Sequence, residues 1–433
     1  MQFANKHFVV IGAKRSGLAA IELLKKQGAR VTAMDSHPPE SGGINVVAQK
    51  EENLLSADAI VLSPGVPYDL PMLENARSRG VPTIGEVELA SYFLKGPVIG
   101  VTGSNGKTTT TALTDHLLKQ CGIRCQVGGN IGTAATSLIE SSSPGQWNVL
   151  ELSSFQLESI VHFRASIATC LNVTPDHLDR HHTFDVYLNA KGRLFDTQQP
   201  SDFAVLNYDD PACRGFSSRT KARVVWFSSR QKTPGGISLN RDSIEFDSNT
   251  FLSRSQIRLR GLHNVENVMA AAGIAHLAGA RLADIGAAVA SFPGVEHRIE
   301  FVRKLNGVDY YNDSKATNVD ASLKAIDAFQ GSLWVILGGK DKGSDYSPLR
   351  TPLAQRAKGA LLIGAARPLI QKALEGAVPL SDCETLENAV AYARAHAASG
   401  DTVLLAPACA SFDQFENYEQ RGERFKHLVA ELS

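Results

Sequence analysis

Short runs rich in β-branched residues alternate with longer helical patterns through most of this chain. This alternation predicts parallel β-sheets whose faces are covered by helices, and so an α/β protein. The stretch near residues 228–256 is the exception, because its pattern is typical of short strands joined by turns.

The 433 residues suggest about three domains at roughly 150 residues each. A first group of patterns begins with HFVVIG, predicts a helix from Ser16 to Gln27, continues with ARVTAMD and AIVLS, and ends near residue 90, which is typical of a small Rossmann-like domain. A second begins at Pro97, includes NVLELSS and ASIATCLNV, and closes with a helix that starts near Asn264. A third follows a linker near 291–300 and contains VDYYND, SLWVILGG, GALLIGA and DTVLLAPA. The predicted domains are 1–90, 91–294 and 295–433.

Composition excludes several classes of protein. The chain has 44 lysine and arginine residues and 44 aspartate and glutamate residues, so it lacks the overall basic field that nucleic-acid or anionic-membrane binding needs. With 43% hydrophobic residues it can build packed cores, yet no apolar run approaches the ~20 residues of a membrane helix. The six cysteines are scattered without a CxxC pair. We expect a cytoplasmic protein without nucleic-acid partner, membrane insertion or structural zinc.

The strongest local motif is TGSNGKTT at residues 102–109, which follows an apolar strand and opens a helix. Glycines let successive backbone N–H groups face an anion, and the helix N-terminus adds positive potential. Lys107 would reach the β- and γ-phosphates of a nucleotide, and Thr108 or Thr109 would reach Mg²⁺. The strict pattern needs glycine where Val101 stands, so we interpret this as a variant phosphate loop; the alternative is an ordinary glycine-rich turn.

The N-terminal turn GAKRSG, residues 12–17, resembles a dinucleotide-binding fingerprint, but Lys14 replaces its second glycine. NAD binding is therefore disfavoured. A nucleotide diphosphate would suit the cations Lys14 and Arg15, with Asp35 at the end of the next strand; the alternative is a structural turn with a solvated basic pair.

Three features of the central domain could serve a metal or a structural purpose. Glu151 ends a buried-looking strand, where a carboxylate needs a partner or a metal; it could instead cap the next helix. The segment NVTPDHLDRHH at 172–182 offers three histidines and two aspartates as ligands, or forms a polar loop. Lys191, taken by itself, indicates an exposed helical lysine.

Polar, glycine-rich or small residues follow three strands of the third domain, in NDSKATN (312–318), GGKDK (338–342) and APACASFD (406–413). Ligands bind at the carboxyl ends of parallel strands, so these segments predict a site whose lysines hold an anionic group. The alternatives are a helix N-cap at Ser314 or Thr317 and a solvated surface.

Eight motifs occur in order over essentially the whole chain: TGSNGKTTT, VGGNIG, LELSSFQLE, NVTPDHLDRH, LHNVENVMAA, EHRIE, YNDSKATN and PACASFDQFENYEQRG. Together they resemble the Mur ligase family, and SSFQLE with the last two resembles its D-glutamate-adding branch. The resemblance implies an N-terminal Rossmann-like domain for a UDP-sugar, a central phosphate-loop ATPase domain with a mostly parallel sheet, and a C-terminal Rossmann-like domain for an amino acid. It implies a monomeric ATP-dependent ligase of cytoplasmic peptidoglycan precursor synthesis, which joins D-glutamate to UDP-N-acetylmuramoyl-L-alanine (UDP-MurNAc-L-Ala) through an acyl phosphate.

The resemblance also implies residue roles. Lys107, His177 and Lys191 would be catalytic. Two Mg²⁺ ions would be held by Thr108, Glu151, His177 and Lys191, the last as a carbamate. The implied ATP contacts are Gly103, Asn105, Gly106, Lys107, Thr108, Thr109, Asn264, His297, Arg298 and Asp313.

The implied UDP-sugar contacts are Arg15, Ser16, Asp35, Ser36, Ser63, Asn130 and Ser153. His37 follows them where some relatives carry arginine. The implied D-glutamate contacts are Lys315, Thr317, Lys342, Ser411 and Tyr418, with Lys340 as the alternative to Lys342.

Rival hypotheses remain open from the sequence. A ligase of the same family, or a folate polyglutamate ligase, would use another acceptor or amino acid. A phosphate-loop regulator without ligase activity would not need carboxylate activation. ATP turnover that depends on both an acceptor and an amino acid separates these hypotheses.

Overall fold

The computed structural model describes residues 2–36 and 46–433, so the prediction for His37 lies outside the described residues. The strands of the described residues form three sheets. The chain divides into two compact units, Met1–Gln256 with Glu266–Ser291 and Ile257–Val265 with Phe292–Ser433. The first unit contains the first two sheets and the second unit contains the third.

The first sheet is parallel and has the order β3-β2-β1-β4-β5. Its strands are β1 (His7–Ile11), β2 (Arg30–Met34), β3 (Val46–Val47), β4 (Ala59–Leu62) and β5 (Thr83–Gly85). Its helices are α1 (Arg15–Lys26), α2 (Glu51–Leu55), α3 (Pro71–Ser78) and α4 (Glu86–Ser91). The strand order reverses at β1, which is the doubly wound arrangement predicted for this part of the chain.

The second sheet has the order β14-β13-β12-β11-β10-β9-β6-β8-β7. Its strands are β6 (Val98–Thr102), β7 (Cys125–Gly129), β8 (Trp147–Glu151), β9 (Ile167–Cys170), β10 (Phe203–Asn207), β11 (Arg223–Ser228), β12 (Ile237–Asn240), β13 (Ser243–Phe246) and β14 (Asn249–Ser253). β6 to β12 pair in parallel, whereas β12, β13 and β14 pair antiparallel, so the irregular stretch consists of short strands, as predicted.

Seven α-helices follow α4 in the described residues up to Ser291. They are α5 (Lys107–Gln120), α6 (Ser154–Leu157), α7 (Leu178–His181), α8 (Phe184–Asp196), α9 (Pro211–Gly215), α10 (Leu262–Leu277) and α11 (Leu282–Ser291).

The third sheet has the order β15-β16-β20-β17-β18-β19. Its strands are β15 (Glu300–Leu305), β16 (Val308–Asn312), β17 (Leu333–Gly338), β18 (Ala357–Ile363), β19 (Leu380–Glu384) and β20 (Thr402–Leu405). Its helices are α12 (Val319–Asp327), α13 (Arg350–Arg356), α14 (Arg367–Leu374), α15 (Leu386–His396) and α16 (Tyr418–Glu431). Only β15 is antiparallel to its neighbour among the described strands of this sheet.

The alternation of side chains along each strand explains why these apolar runs form two-sided sheets. In β1, Phe8 and Val10 belong to one hydrophobic cluster, whereas Val9 and Ile11 belong to another. Successive side chains of a strand point to opposite faces, so a continuous apolar run needs a cover on both sides. Helices provide that cover, and this leaves the strand ends available for polar residues.

A buried carboxylate joins the first sheet region to the second. Glu88 of α4 is fully buried and accepts hydrogen bonds of 2.8 Å from the backbone N–H groups of Val161, His162 and Phe163. The hydroxyl of Tyr92 donates a further bond of 3.1 Å. Because an unpartnered buried carboxylate is very unfavourable, these donors hold α4 against the 161–163 turn.

Candidate active site

The phosphate-loop motif connects β6 to α5 in a backbone shape that requires glycine. Gly106 has φ +87° and caps α5, and a Cβ there would collide with the side chain of Asn267. Asn172, which follows β9, holds the loop, because its carbonyl accepts the N–H of Ser104 (2.8 Å) and its side-chain oxygen accepts that of Asn105 (2.9 Å). The predicted strand, turn and helix are therefore confirmed.

Two lysines converge on one carbonyl of this loop. The Nζ atoms of Lys107 and Lys191 each donate to the carbonyl of Gly103 at 2.8 Å, and Lys107 also donates to that of Ser104. Lys191 is only 1% exposed, and its Nζ lies 4.5 Å from the centre of the Tyr187 ring. Burial, together with the positive charge of Lys107, lowers the pKa of Lys191 to about 7.

The interpretation of Lys191 as an exposed helical lysine is wrong. Helix α8 buries Tyr187, Ala190, Lys191 and Leu194, which lie on one stripe at helical spacing. Position 191 falls among the apolar residues of that stripe, so the sequence did contain a signal that Lys191 is buried.

Two buried oxygen atoms beside the loop have no hydrogen-bond partner among the described residues: Oγ1 of Thr108 and Oε2 of Glu151. The other oxygen of Glu151 accepts a bond of 2.7 Å from the side-chain amide of Asn130. Hydroxyl and carboxylate oxygens are suitable ligands for Mg²⁺, so these two residues fit the predicted ion. The alternative role of Glu151 as a helix cap is not seen, because Ser153 caps α6.

The three histidines of the segment 172–182 point to different partners. His177 has φ +54° and is exposed, with its Nε2 atom 3.7 Å from a carboxylate oxygen of Asp176. His181 is buried, and its Nε2 atom lies 2.9 Å from the hydroxyl of Ser154. His182 contacts Asp69 at 3.0 Å. The segment therefore does not gather its histidines at one metal, and His177 is its only histidine with a predicted metal role.

A cavity of ≈ 610 Å³ opens beside the N-terminal turn. Six of the seven residues predicted to contact a UDP-sugar line it: Arg15, Ser16, Asp35, Ser36, Ser63 and Asn130. Ser153 does not line it; its hydroxyl instead accepts the N–H of Gln156 in a capping box, while Gln156 itself lines the cavity. The sequence also missed Val66 and Leu70, which supply an apolar wall.

Two of the residues predicted to contact the UDP-sugar, Asp35 and Ser63, also hold the N-terminal turn. One oxygen of Asp35 accepts the N–H of Ala13 at 2.7 Å, and the hydroxyl of Ser63 donates to the carbonyl of Gly12 at 2.7 Å. A Cβ at position 17 would overlap that same carbonyl, so glycine is required there. These contacts fix the turn that presents Lys14 and Arg15 to the cavity.

A row of contacting polar side chains that the sequence did not predict supports the cavity wall, and its charged members, Arg180 and Glu158, are half-buried. The Nη2 atom of Arg180 donates to the carbonyl of Val66 (2.9 Å) and to a carboxylate oxygen of Glu158 (2.8 Å). The other oxygen of Glu158 lies 3.1 Å from Nδ1 of His181. Burial lowers the pKa of His181 to about 4, so the ring is neutral at pH 7. These contacts end at Ser154, the first residue of α6, which follows β8.

In the second unit, polar groups gather where β16 ends. The side-chain amide of Asn312 bonds to Nδ1 of His297 at 2.9 Å and to Glu300 at 3.0 Å. Burial raises the pKa of Asp313 to about 7, against the positive charge of Arg298. The side chain of Asn264, also in this unit, donates to the carbonyl of Arg260 at 2.8 Å.

A group of three ligand atoms within 4.8 Å occurs here, from Glu296, His297 and Glu423. Lys426 lies 3.4 Å from Glu296 and 2.7 Å from Glu423, so its ammonium group already neutralises these carboxylates.

The predicted amino-acid contacts occupy three strand-end loops of the same unit. Nζ of Lys315 lies 3.6 Å above the ring of Tyr418. Ser411 is buried, whereas Lys342 and Lys340 are exposed. Thr317 donates its N–H to the carbonyl of Lys315 at 2.8 Å.

Arg421 ties two of these loops together and was missed by the sequence, because a fully buried arginine has no clear local signature. Its Nε atom donates to the hydroxyl of Ser314 at 3.0 Å, and its Nη1 and Nη2 atoms donate to the carbonyl of Cys409 at 3.3 Å. Burial lowers the pKa of Arg421 to about 10, so the guanidinium remains charged at pH 7.

The fold and the loop together define an α/β protein of the phosphate-loop class. The chain matches three family profiles: Mur ligase MurD-like, N-terminal domain, over residues 6–85; Mur ligase middle domain, over 101–275; and Mur ligase, glutamate ligase domain, over 297–409. The UDP-N-acetylmuramoylalanine--D-glutamate ligase of Solibacter usitatus is 58% identical, with 99% of this chain and 98% of the relative covered. The enzyme of the same name from Koribacter versatilis is 46% identical, with 100% and 99% covered.

This chain therefore belongs to the Mur ligase family, and that prediction is confirmed. The solved MurF ligase from Thermotoga maritima in complex with ADP shares the fold, with a TM-score of 0.64 at 18% identity over 99% of this chain and 95% of that one. Among the described residues, no helix combines the length and the apolar character that crossing a membrane requires.

Proposed function

We propose that this protein is an ATP-dependent ligase that joins D-glutamate to UDP-MurNAc-L-Ala. The names of the two relatives support the substrates, since each covers nearly the whole chain. The three predicted ranges, 1–90, 91–294 and 295–433, would hold the UDP-sugar, ATP and the amino acid respectively.

The observation that carries the proposal is the double contact of Asn130. This residue lines the cavity beside the N-terminal turn, and its amide donates to Glu151 at the carboxyl end of β8, the strand next to β6. A UDP-sugar in the cavity, with its diphosphate at Arg15 and Ser16, would extend toward Asn130 and so toward the phosphate loop. The carboxylate at the far end of such a substrate would then meet the γ-phosphate of ATP, as ligation requires.

The loop residues bind and orient the phosphates. The N–H groups at the start of α5 and the ammonium of Lys107 would stabilise the charge that develops as the γ-phosphoryl group moves to the carboxylate. Gly103, Asn105, Gly106, Thr108 and Thr109 would line the phosphates. The remaining proposed ATP contacts are Asn264, His297, Arg298 and Asp313.

The residues fit Mg²⁺, because two buried oxygens beside the loop lack hydrogen-bond partners within the described chain. Thr108 and Glu151 would hold one ion, and His177 with a carbamate on Lys191 would hold a second. Mg²⁺, when bound, would neutralise phosphate charge. The low pKa of Lys191 makes its neutral amine available to CO₂ at physiological pH, which supports the carbamate.

In the second unit, Lys315, Thr317, Lys342, Ser411 and Tyr418 would hold D-glutamate. A dicarboxylic amino acid needs cations for its carboxylates, and both lysines stand at strand ends. Its neutral amine would attack the acyl phosphate and release inorganic phosphate. Both ATP and UDP-sugars are cytoplasmic substrates, so we place the protein there, and we propose that it acts as a monomer.

The test measures phosphate release from MgATP by the purified protein with UDP-MurNAc-L-Ala, adding D-glutamate, L-glutamate, L-lysine or meso-diaminopimelate separately. We expect release only with D-glutamate, and none when the UDP-sugar is omitted. Phosphate release with another amino acid would mean that this amino acid, and not D-glutamate, is the substrate. Release without any acceptor would favour the phosphate-loop regulator.

A further inference from the structure

Three side chains connect two of the strand-end loops in the second unit. The hydroxyl of Tyr346 donates to a carboxylate oxygen of Asp341 at 2.6 Å, and the same hydroxyl lies 3.1 Å from the sulfur of Cys409. Tyr346 and Cys409 are buried, at 3% and 1% exposure. Asp341 belongs to the loop after β17, and Cys409 belongs to the loop after β20. We call these three residues the loop clasp.

The direction of each hydrogen bond in the loop clasp follows from which of its three side chains carry a proton. Burial would raise the pKa of Asp341, but bonds from Tyr346 and from the N–H groups of Gly343 and Ser344 lower it below its usual value, so the carboxylate only accepts. The single proton of Tyr346 therefore goes to Asp341. Burial raises the pKa of Cys409 to about 11, so its thiol keeps a proton and donates to Tyr346.

The loop clasp lies between two of the proposed amino-acid contacts. Lys342 follows Asp341 directly, inside the turn that the Asp341 carboxylate closes through Gly343. Cys409 stands two residues before Ser411. A backbone bond of 2.8 Å from the N–H of Lys340 to the carbonyl of Ala410 joins the same loops a second time. The buried Tyr346 hydroxyl thus links the loop that carries Lys342 to the loop that carries Ser411.

We propose that Asp341, Tyr346 and Cys409 form a positioning chain that sets the separation of Lys342 and Ser411, and so the selectivity of this site for a dicarboxylic amino acid. This inference rests on the proposed function. A diacid is distinguished from other amino acids by two anionic groups at a fixed distance, and a site can use that distance only if its own anchors are fixed. Lys342 is exposed and long, so its direction depends on the turn from which it extends.

Tyr346→Phe removes one oxygen atom and keeps the ring. We expect the KM for D-glutamate to rise about tenfold, which is the effect of losing a hydrogen bond to a charged group. The kcat should change less than about threefold, and the KM values for ATP and UDP-MurNAc-L-Ala should stay the same. Tyr310→Phe is the matched control, because Tyr310 is also buried in this unit and its hydroxyl has no hydrogen bond within the described residues.

A double-mutant cycle separates positioning from a general loss of stability. Asp341→Ala and Tyr346→Phe break the same bond, so the double variant should raise the KM for D-glutamate no more than the larger single change. Asp341→Asn keeps an acceptor oxygen and should restore most of the affinity.

An unchanged KM for D-glutamate in Tyr346→Phe, or an equal rise for all three substrates, overturns the positioning role. Independent, multiplying effects in the cycle overturn it too. If Tyr346→Phe does not fold, the comparison of Asp341→Ala with Asp341→Asn decides the same question. Failure of the proposed function is distinct, because the wild-type protein and Tyr310→Phe would then both lack phosphate release that depends on D-glutamate.

Discussion

Two strand–turn–helix segments of the first compact unit hold their cationic side chains in different environments. The turn at residues 12–17 leads from β1 into α1, and the turn at 103–106 leads from β6 into α5. Both contain glycines at positive φ. At the first turn, Lys14 and Arg15 are exposed and line a cavity. At the second, Lys107 and Lys191 both point to the carbonyl of Gly103.

The difference shows how one local fold can serve binding or chemistry. Exposed cations remain hydrated and attract an anionic ligand mainly through their charge. Burial and, after it, the positive charge of the neighbouring Lys107 lower the pKa of the Lys191 amine to about 7. We therefore expect substitutions at the second turn to affect turnover, and substitutions at the first to affect affinity.

The largest expected effect comes from Lys107→Ala. Loss of this ammonium should reduce phosphate release about 10³-fold, because it stabilises charge that develops in the transition state. Titration calorimetry should show unchanged affinity for UDP-MurNAc-L-Ala. Lys119→Ala on the same helix, where the lysine pairs with Asp115 at the surface, is the control and should keep full activity. A similar loss in both variants would contradict the special position of Lys107.

Lys191→Met should reduce activity at least about 100-fold and yet stabilise the fold. In CO₂-free buffer at pH 6, the buried amine of the wild type is protonated, and replacing it with an apolar chain should raise the free energy of unfolding by about 1–3 kcal/mol.

The gain in the free energy of unfolding from Lys191→Met, measured against the wild type, should shrink between pH 7 and pH 10.5. Over that window the unfolded chain binds the lysine proton and the folded chain does not, so the wild type gains stability as pH rises. Urea unfolding at several pH values measures this trend. If the difference in the free energy of unfolding does not change with pH, the amine of Lys191 is solvated in the folded protein and the prediction is wrong.

At the first turn, Arg15→Ala should raise the KM for UDP-MurNAc-L-Ala about tenfold with little change in kcat, because a charged hydrogen bond to a diphosphate is lost. Lys25→Ala, on the same helix and outside the cavity, should behave like the wild type. A fall in kcat alone would mean that this turn also takes part in the chemistry.

Lys14→Gly is expected to have the smallest effect. Loss of an exposed cation should weaken binding of UDP-MurNAc-L-Ala about twofold to fivefold. Calorimetry with NAD should still show no binding, because the cavity keeps its other residues. NAD binding by this variant would mean that the side chain of Lys14 alone makes the cavity select a UDP-sugar over NAD.

Strand patterns predicted many of the central strands and few of the edge strands, although the interior strands β10 and β11 were not predicted either. β1, β6, β17 and β20 carry continuous apolar runs, since both of their faces are covered. β5, β7 and β19 lie at sheet edges and were not predicted. β7 contains two glycines and β19 contains two acids, because an edge strand has fewer neighbours to satisfy.

The candidate site was predicted where a motif is contiguous. The phosphate loop is one run of residues, whereas the burial of Lys191 depends on how α8 packs. The loop clasp depends on contacts across 63 residues between Tyr346 and Cys409. Local patterns do not record such contacts, and the role of Tyr346 came only from the folded arrangement.

The three backbone bonds to Glu88 have a consequence for how such chains are recombined. A designer who grafts the first 90 or so residues onto another central sheet would carry the acceptor and leave its donors, at Val161 to Phe163, behind. The transplanted carboxylate would then lose its three backbone donors and keep at most the hydroxyl of Tyr92. A workable chimera must therefore exchange the 161–163 turn together with the N-terminal segment, although the two segments are far apart in the sequence.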